Sequence, residues 1–267
     1  MTAAVLLLLG AWTEAEREAQ VEALRARPVE ERIVSLSEGF LGTPYAFSPL
    51  GEGSGHDVDP RIRYDAVDCL TLVEEVMAMA LAPDAASRLP VLDAIRYSGA
   101  PAWETRNHLM EAQWLPHLQA RGVLRDITRE VAGPLAERTS KQLTRRTWKA
   151  KEGASLALPA TSQPLGTFAL DVVPVKRAVE VLKRAPSGTV VVVVRADRPT
   201  RITRVSHVGF LIQTPKGPVL RHASRSFKRV TDEPLAHYLS RNLDFASWTI
   251  ESLALFAVTA PSEGKLP

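Results

Sequence analysis

Apolar positions in the first half of the chain recur at helical spacing, broken by short clusters rich in Gly and Pro. Thr13 followed by Glu16 is a capping-box pattern and opens a helix expected over residues 14–27. Pro28 suits the first turn of a second helix running to Phe40, with Gly42 as its stop. Residues 43–60 must be loop, because Gly and Pro punctuate them throughout. Asp68 reads as the N-cap of a helix from Cys69 to Leu81, ended by Pro83. Further helical patterns cover residues 84–97 and 108–121.

The second half changes period. Residues 123–128 read as a short strand, and residues 151–166, rich in Ala, Ser and Pro, as a loop or excursion. Residues 175–184 form an amphipathic helix between prolines. Five consecutive valines, Val190 to Val194, are the signature of a strand buried on both faces. Residues 205–213 and 218–223 read as two strands of a hairpin, and residues 248–258 as a last strand. Helices first and strands later is an α+β order. The expected layout is a single catalytic domain over residues 1–267, mainly helical over 13–122 and mainly β over 123–260.

Composition narrows the class. The chain has 267 residues, 45% of them hydrophobic and 24% charged, so disorder and a fibrous class are excluded. Thirty-three basic against thirty acidic residues leave a net charge of +3, too small an excess to argue for nucleic acid. An apolar run over residues 3–12 is too short to span a bilayer. It has no Lys or Arg before it and no Ala-x-Ala after it. Three origins stay open for it: a signal peptide clipped by a wrong start codon, a weak signal, or the buried first turn of a helix. No stable membrane insertion is expected.

One cysteine can make neither an internal disulfide nor a thiolate metal cluster. Most lone cysteines are small buried hydrophobes. Cys69 has a feature beyond that, since it follows Asp68 at a helix start, where the helix dipole favours a thiolate. Free N–H groups at the same helix end also suit a developing oxyanion. Such a nucleophile needs a base. His207 opens one strand of the hairpin and His222 lies on the other. A four-residue loop over 213–216 would set Ile212 across from Gly217 and His207 directly opposite His222, making them base and orienter. Two unrelated strand histidines remain the plainer reading of the pair alone. Zinc held by both with Asp65 or Asp68 is weaker, for lack of metal-ligand spacing. Asp65 and Asp68 read mainly as cap and turn residues. Trp103 and Trp114 either pack or line a sugar-binding cleft. Arg106 and Asn107 either bind a peptide carboxylate or form a solvated helix start. Lys141, Arg145, Arg146, Lys149 and Lys151 read as a solvated face.

Together these residues resemble a known family. Cysteine at a helix start, a distant His207-Val208-Gly209-Phe210 strand, and His222-Ala223 on its partner are similar to papain-like NlpC-type cell-wall cysteine hydrolases. Gly42-Thr43-Pro44-Tyr45, the run from Ser48 to Gly53, the block from Asp65 to Thr71 with Val73-Glu74-Glu75, and Arg106-Asn107-His108 with Trp114 resemble one branch. That branch is the N-acetylmuramoyl-L-alanine amidase-like family, long known only as a domain of unknown function. The likeness covers roughly Phe40 to Phe256. It implies a helical subdomain carrying the cysteine, packed on an antiparallel β-barrel-like subdomain carrying the histidines. It implies a Cys69–His207–His222 triad, with Tyr45 helping the oxyanion site. It implies a peptidoglycan or muropeptide substrate cut between N-acetylmuramic acid and L-alanine, no metal or cofactor, and a periplasmic or cell-envelope location. A monomer is expected. A D-glutamyl–diaminopimelate endopeptidase, another acyl-transferring cysteine hydrolase and a non-catalytic wall-binding module are the alternatives.

Overall fold

The structure, a computed structural model, describes residues 12–243, 247–260 and 266. Of the apolar run over 3–12, residues 3–11 therefore lie outside the described residues. Trp12 is described, and its ring packs against Gly39, where an added Cβ would fall 2.2 Å from it. Helices α1 Glu14–Leu24, α2 Val29–Glu38, α3 Cys69–Leu81, α4 Arg88–Arg96 and α5 Leu115–Ala120 come first. They are followed by β1 Leu124–Asp126, α6 Thr128–Ala132, β2 Glu137–Leu143, α7 Arg145–Lys149, α8 Lys151–Ser155, β3 Gly166–Pro174 and α9 Val175–Leu182. The chain then runs through β4 Val190–Arg195, β5 Val205–Thr214, β6 Gly217–Ser224, β7 Arg229–Pro234, α10 Leu235–Leu243 and β8 Ile250–Val258. This is a mixed α+β fold around one large antiparallel sheet. No helix among the described residues is long and apolar enough to cross a membrane.

The sheet runs in the order β2-β3-β8-β4-β5-β6-β7, with β1 also paired to β8. It is an open path: among the described residues β2 and β7 do not pair, so the closure of a barrel is not seen. The valine run explains why β4 sits at the middle. Val190, Val192 and Val194 join the apolar cluster under α2, α3 and α4, while Val191 and Val193 join the one under α9 and α10. Period-two alternation therefore drives the strand into two cores at once. Helices cover both faces of the sheet as a result.

Helix α3 starts and stops where its caps predict. Asp68 Oδ1 accepts from the Leu70 and Thr71 amides at 3.0 and 2.8 Å, and the Asp68 N–H donates to Thr71 Oγ1 at 2.8 Å. Glu74 is buried but pairs with Arg96 at 2.7 Å, and Arg96 also donates to the Leu50 carbonyl, tying α3 and α4 to the 43–60 loop. Other elements depart from the pattern. The 84–97 helix begins only at Arg88, and the 108–121 helix opens with a π turn over Met110–Trp114. The 151–166 loop contains α8. Strands β2 and β3 were not legible: β2 is the polar sequence Glu137 to Leu143, half-exposed at the sheet edge, with little alternation to read. Lys141 is 2% exposed and pairs with Asp197, so it is not part of a solvated face.

The hairpin register also differs from expectation. Thr214 pairs with Gly217 around a two-residue turn, Pro215-Lys216, and Phe210 pairs with Arg221. Extending that register sets Gly209 opposite His222, so His207 lies diagonal to it. The slip is two residues, and two is the one small slip that leaves both side chains on the same face. Gly209 makes the close approach feasible, since a Cβ there would meet the Arg221 carbonyl at 2.7 Å and His222 Cβ at 3.0 Å.

Candidate active site

A cavity of about 690 Å³ opens where β4 and β6 end and β5 begins. Tyr45, Asp68, Cys69, His207 and His222 are among the residues that line it. Three separate devices bring them there. The capping box sets Cys69 at the first position of α3. Ser48 donates its N–H to Asp68 Oδ2 at 3.1 Å, and Tyr45 bridges to Val67, which holds the loop against the helix start. A bulge in β5 leaves Ser206 without a partner on β4 between the pairs Val193–His207 and Val194–Val205. Bulges of this kind re-aim the neighbouring side chain. Ser206 Oγ is occupied by Arg195 Nε at 2.6 Å.

The histidines are coupled. His207 Nε2 and His222 Nδ1 stand 2.7 Å apart. Tyr238 of α10 stacks on His207 with centroids 5.6 Å apart and an interplanar angle of 22°, and meets His222 edge-on at 5.3 Å. Burial, then the neighbouring His222, Arg241 and Arg195, hold the His207 ring well below its ordinary pKa. It is therefore a neutral imidazole at pH 7.

The thiol departs from the helix-dipole argument. Burial, followed by the adjacent Asp68 carboxylate, pushes Cys69 up to about 12. The backbone amides of Val208, Leu70 and Cys69 act in the other direction but do not offset this. The helix end favours a thiolate, but desolvation of this half-buried sulfur outweighs it. The cavity thus holds a neutral thiol and a neutral imidazole in its lining. Tyr45 is also raised, by burial first and then by Cys69 and Asp68, so it keeps its O–H donor at neutral pH.

Four candidate substrate contacts lie elsewhere. Arg106 donates to Glu52 at 2.6 and 2.8 Å and to Asp57 at 2.9 Å, inside the 43–60 loop. Asn107 is buried, and its amide reaches the Ile95 carbonyl. Trp114 is fully buried in the core, and Trp103 stacks on His56 and donates to the Leu156 carbonyl. None of the four lines the cavity. Among the described residues no group of three or more His, Cys, Asp or Glu is placed to hold a metal ion.

The cavity has members that were not read from the sequence. Arg195, Arg225, Lys228 and Arg241 line it, against one acid, Asp68. Phe47 stands 81% exposed at its rim. Lys228 adopts φ 59, a left-handed conformation uncommon for a residue with a side chain, and its carbonyl accepts from the Tyr45 amide. Glu233 lies behind His222, with His222 Nε2 at 3.1 Å, His237 Nδ1 at 2.7 Å and Arg241 on both oxygens at 2.6 Å. The spacing Glu233, His237, Arg241 was the available signal: His237 and Arg241 stand one turn apart on α10, and Glu233 lies four residues before His237 on β7.

Comparison with known proteins gives a family and a fold. The N-acetylmuramoyl-L-alanine amidase-like family model matches residues 35–245. No curated protein matches the chain. A crystal structure of a Legionella pneumophila protein from a family of unknown function is 24% identical, covers 93% of this chain and 95% of its own, and superposes with a TM-score of 0.77. An N-acetylmuramoyl-L-alanine amidase from Bacteroides uniformis is 20% identical, covers 86% and 99%, and gives 0.70. A Bacteroides fragilis protein described as a putative xylanase is 22% identical, covers 84% and 100%, and gives 0.66. At these identities the likeness establishes the fold.

Proposed function

The chain belongs to the N-acetylmuramoyl-L-alanine amidase-like family, and from that premise we propose that it is a cysteine hydrolase of peptidoglycan or muropeptides, cutting the amide between N-acetylmuramic acid and L-alanine. The observation that carries this reading is one cavity lined by Cys69, His207 and His222, with the histidine rings 2.7 Å apart. Its volume, about 690 Å³, suits a sugar and the start of a peptide. Arg225 and Lys228 in its wall suit the free carboxylates of a stem peptide, while Arg241 is taken up by Glu233. The chain acts as one catalytic domain in the periplasm or cell envelope, as a monomer, with the papain-like order of a helix-start cysteine before strand-borne histidines.

The chemistry follows from the neutral resting pair. As the Cys69 sulfur bonds to the scissile carbonyl carbon, its proton passes to His207. The carbonyl π pair moves onto oxygen. The Leu70 and Thr71 amides are engaged by Asp68, so the Cys69 N–H and the Tyr45 hydroxyl are the donors for that oxyanion. Collapse breaks the C–N bond, and the His207 proton goes to the leaving nitrogen. Water then attacks the thioester, giving its proton to His207 and afterwards to the departing sulfur. Substitution Cys69→Ala is expected to abolish muropeptide cleavage with the circular dichroism spectrum unchanged, and residual cleavage at the wild-type rate would overturn the nucleophile. Mass spectrometry of the digest reads the bond: intact stem peptide with free lactyl-sugar marks the amidase, and a shortened peptide marks the endopeptidase.

A further inference from the structure

Glu233 is the penultimate residue of β7, two positions before α10 begins at Leu235, and its side chain is 1% exposed. No step above uses it. A buried carboxylate persists only when its lone pairs are occupied, and here four hydrogen bonds from three side chains do so. Arg241 supplies two of them in a fork and balances the charge. The carboxylate can only accept, so His222 Nε2 must carry a hydrogen. With Arg241 already neutralising Glu233, a second positive charge on the buried His222 ring has nothing to balance it. The His222 ring is then the neutral Nε2–H form, and its Nδ1 lone pair faces His207 Nε2 at 2.7 Å. That contact requires the hydrogen on His207 Nε2, and Nδ1 of His207 is left bare.

We infer that Glu233, clamped by Arg241, is a positioning residue that sets the tautomer of His207 through His222, so that His207 Nδ1 is the nitrogen open to the Cys69 proton. The inference rests on the reading of Cys69 as nucleophile and adds a second tier behind the histidine pair. The charged and titratable groups around the relay are Cys69 from α3 and its N-cap Asp68, Arg195 from β4, and Tyr238, His237 and Arg241 from α10. Tyr238 holds the plane of His207 by stacking, so the chain of bonds decides which nitrogen is bare and the tyrosine decides which way the ring lies. This is the role a carboxylate plays behind a catalytic imidazole, carried one ring further.

The test is a tautomer measurement on the full chain labelled with 15N-histidine. Two-bond 15N–1H correlation spectra at pH 7 report which ring nitrogen is protonated. Signals are assigned by their loss in His207→Gln and His222→Gln. Both rings are expected as Nε2–H forms, and a His207 ring protonated at Nδ1 overturns the inference even if no Glu233 variant folds. In Glu233→Gln the amide can donate to His222 Nε2, so the tautomers of both rings should reverse. In that variant kcat on muropeptide should fall about 10²–10⁴-fold, the range general-base catalysis contributes. KM should stay within about threefold, since no substrate contact is removed. Glu233→Asp should restore part of kcat. A loss of kcat with both tautomers unchanged would make Glu233 merely structural and refute the proposal. The spectra need no turnover, so an active Cys69→Ala protein would sink the nucleophile reading and leave the tautomer result standing.

Discussion

The same carboxylate yields a quantitative prediction about stability. Burial alone would raise the Glu233 carboxyl, but hydrogen bonds from Arg241 and His222, the Arg241 charge and the His237 bond outweigh it and hold it at about 2, against an ordinary 4.5. The folded-state value is depressed, so the carboxylate stabilises the fold above pH 4.5 and that contribution is lost as the pH falls towards 2. At 1.36 kcal/mol per pKa unit the difference amounts to about 3 kcal/mol at pH 7. At pH 3 the unfolded chain already binds the proton while the folded chain largely does not, and the contribution shrinks to about 1 kcal/mol. Glu233→Gln removes the titration. Urea melts of both proteins at pH 7, 5, 4 and 3 should give a stability difference that narrows by about 2 kcal/mol across the series. All other acidic groups titrate in both proteins and cancel. Parallel curves, with a gap that does not change with pH, would show that Glu233 is not held as a carboxylate by Arg241, and the reasoning would fail with it.

Two further outcomes are expected. Because His207 is neutral well below its ordinary value and must be neutral to accept the Cys69 proton, muropeptide cleavage should persist below pH 6.5 and decline only as the pH falls through the depressed value; an acid limb centred at or above 6.5 in kcat/KM would contradict the half-buried, cation-flanked ring. Arg204 and Glu111 are 2% and 4% exposed, and their charges pair at 2.5 Å between the residue just before β5 and the π turn, so Arg204→Met strands a buried carboxylate and should cost about 3–5 kcal/mol by chemical denaturation; a loss under about 1 kcal/mol would mean the pair is not desolvated as it stands.

What was legible in the sequence was local. The start of α3 at Cys69 followed from Asp68, because a cap is a contact between residues three apart and needs no partner from elsewhere. The two-faced burial of the valine run followed from the strand period and the absence of any polar position to face water. The histidine pair was legible for a related reason. A hairpin turn misjudged by two residues still leaves His207 and His222 on one face, so the error in register did not separate them. Less was legible where the pattern is polar or the element is short. Strand β2 shows little alternation, and β7 with α10 follows the hairpin as a short strand and a nine-residue helix. Passing over α10 meant missing Tyr238, His237 and Arg241.

The charge state of the site belongs to tertiary structure alone. In sequence, Cys69 stands beside a helix dipole, which argues for a thiolate. In the fold, burial and the neighbouring carboxylate act on the same sulfur and prevail. Arg106, Asn107 and Trp114 show the same limit from the other side: their chemistry suits a ligand, but Glu52, Asp57 and the core occupy them first. Sequence by itself determined which residues stand at which ends of which elements, because caps, turns and strand periods act within a few residues. Tertiary structure decided which nitrogen is bare, which thiol is neutral and which cation is already paired, because desolvation and charge act through space between residues as distant in the chain as Cys69 and Val208 or His222 and Glu233.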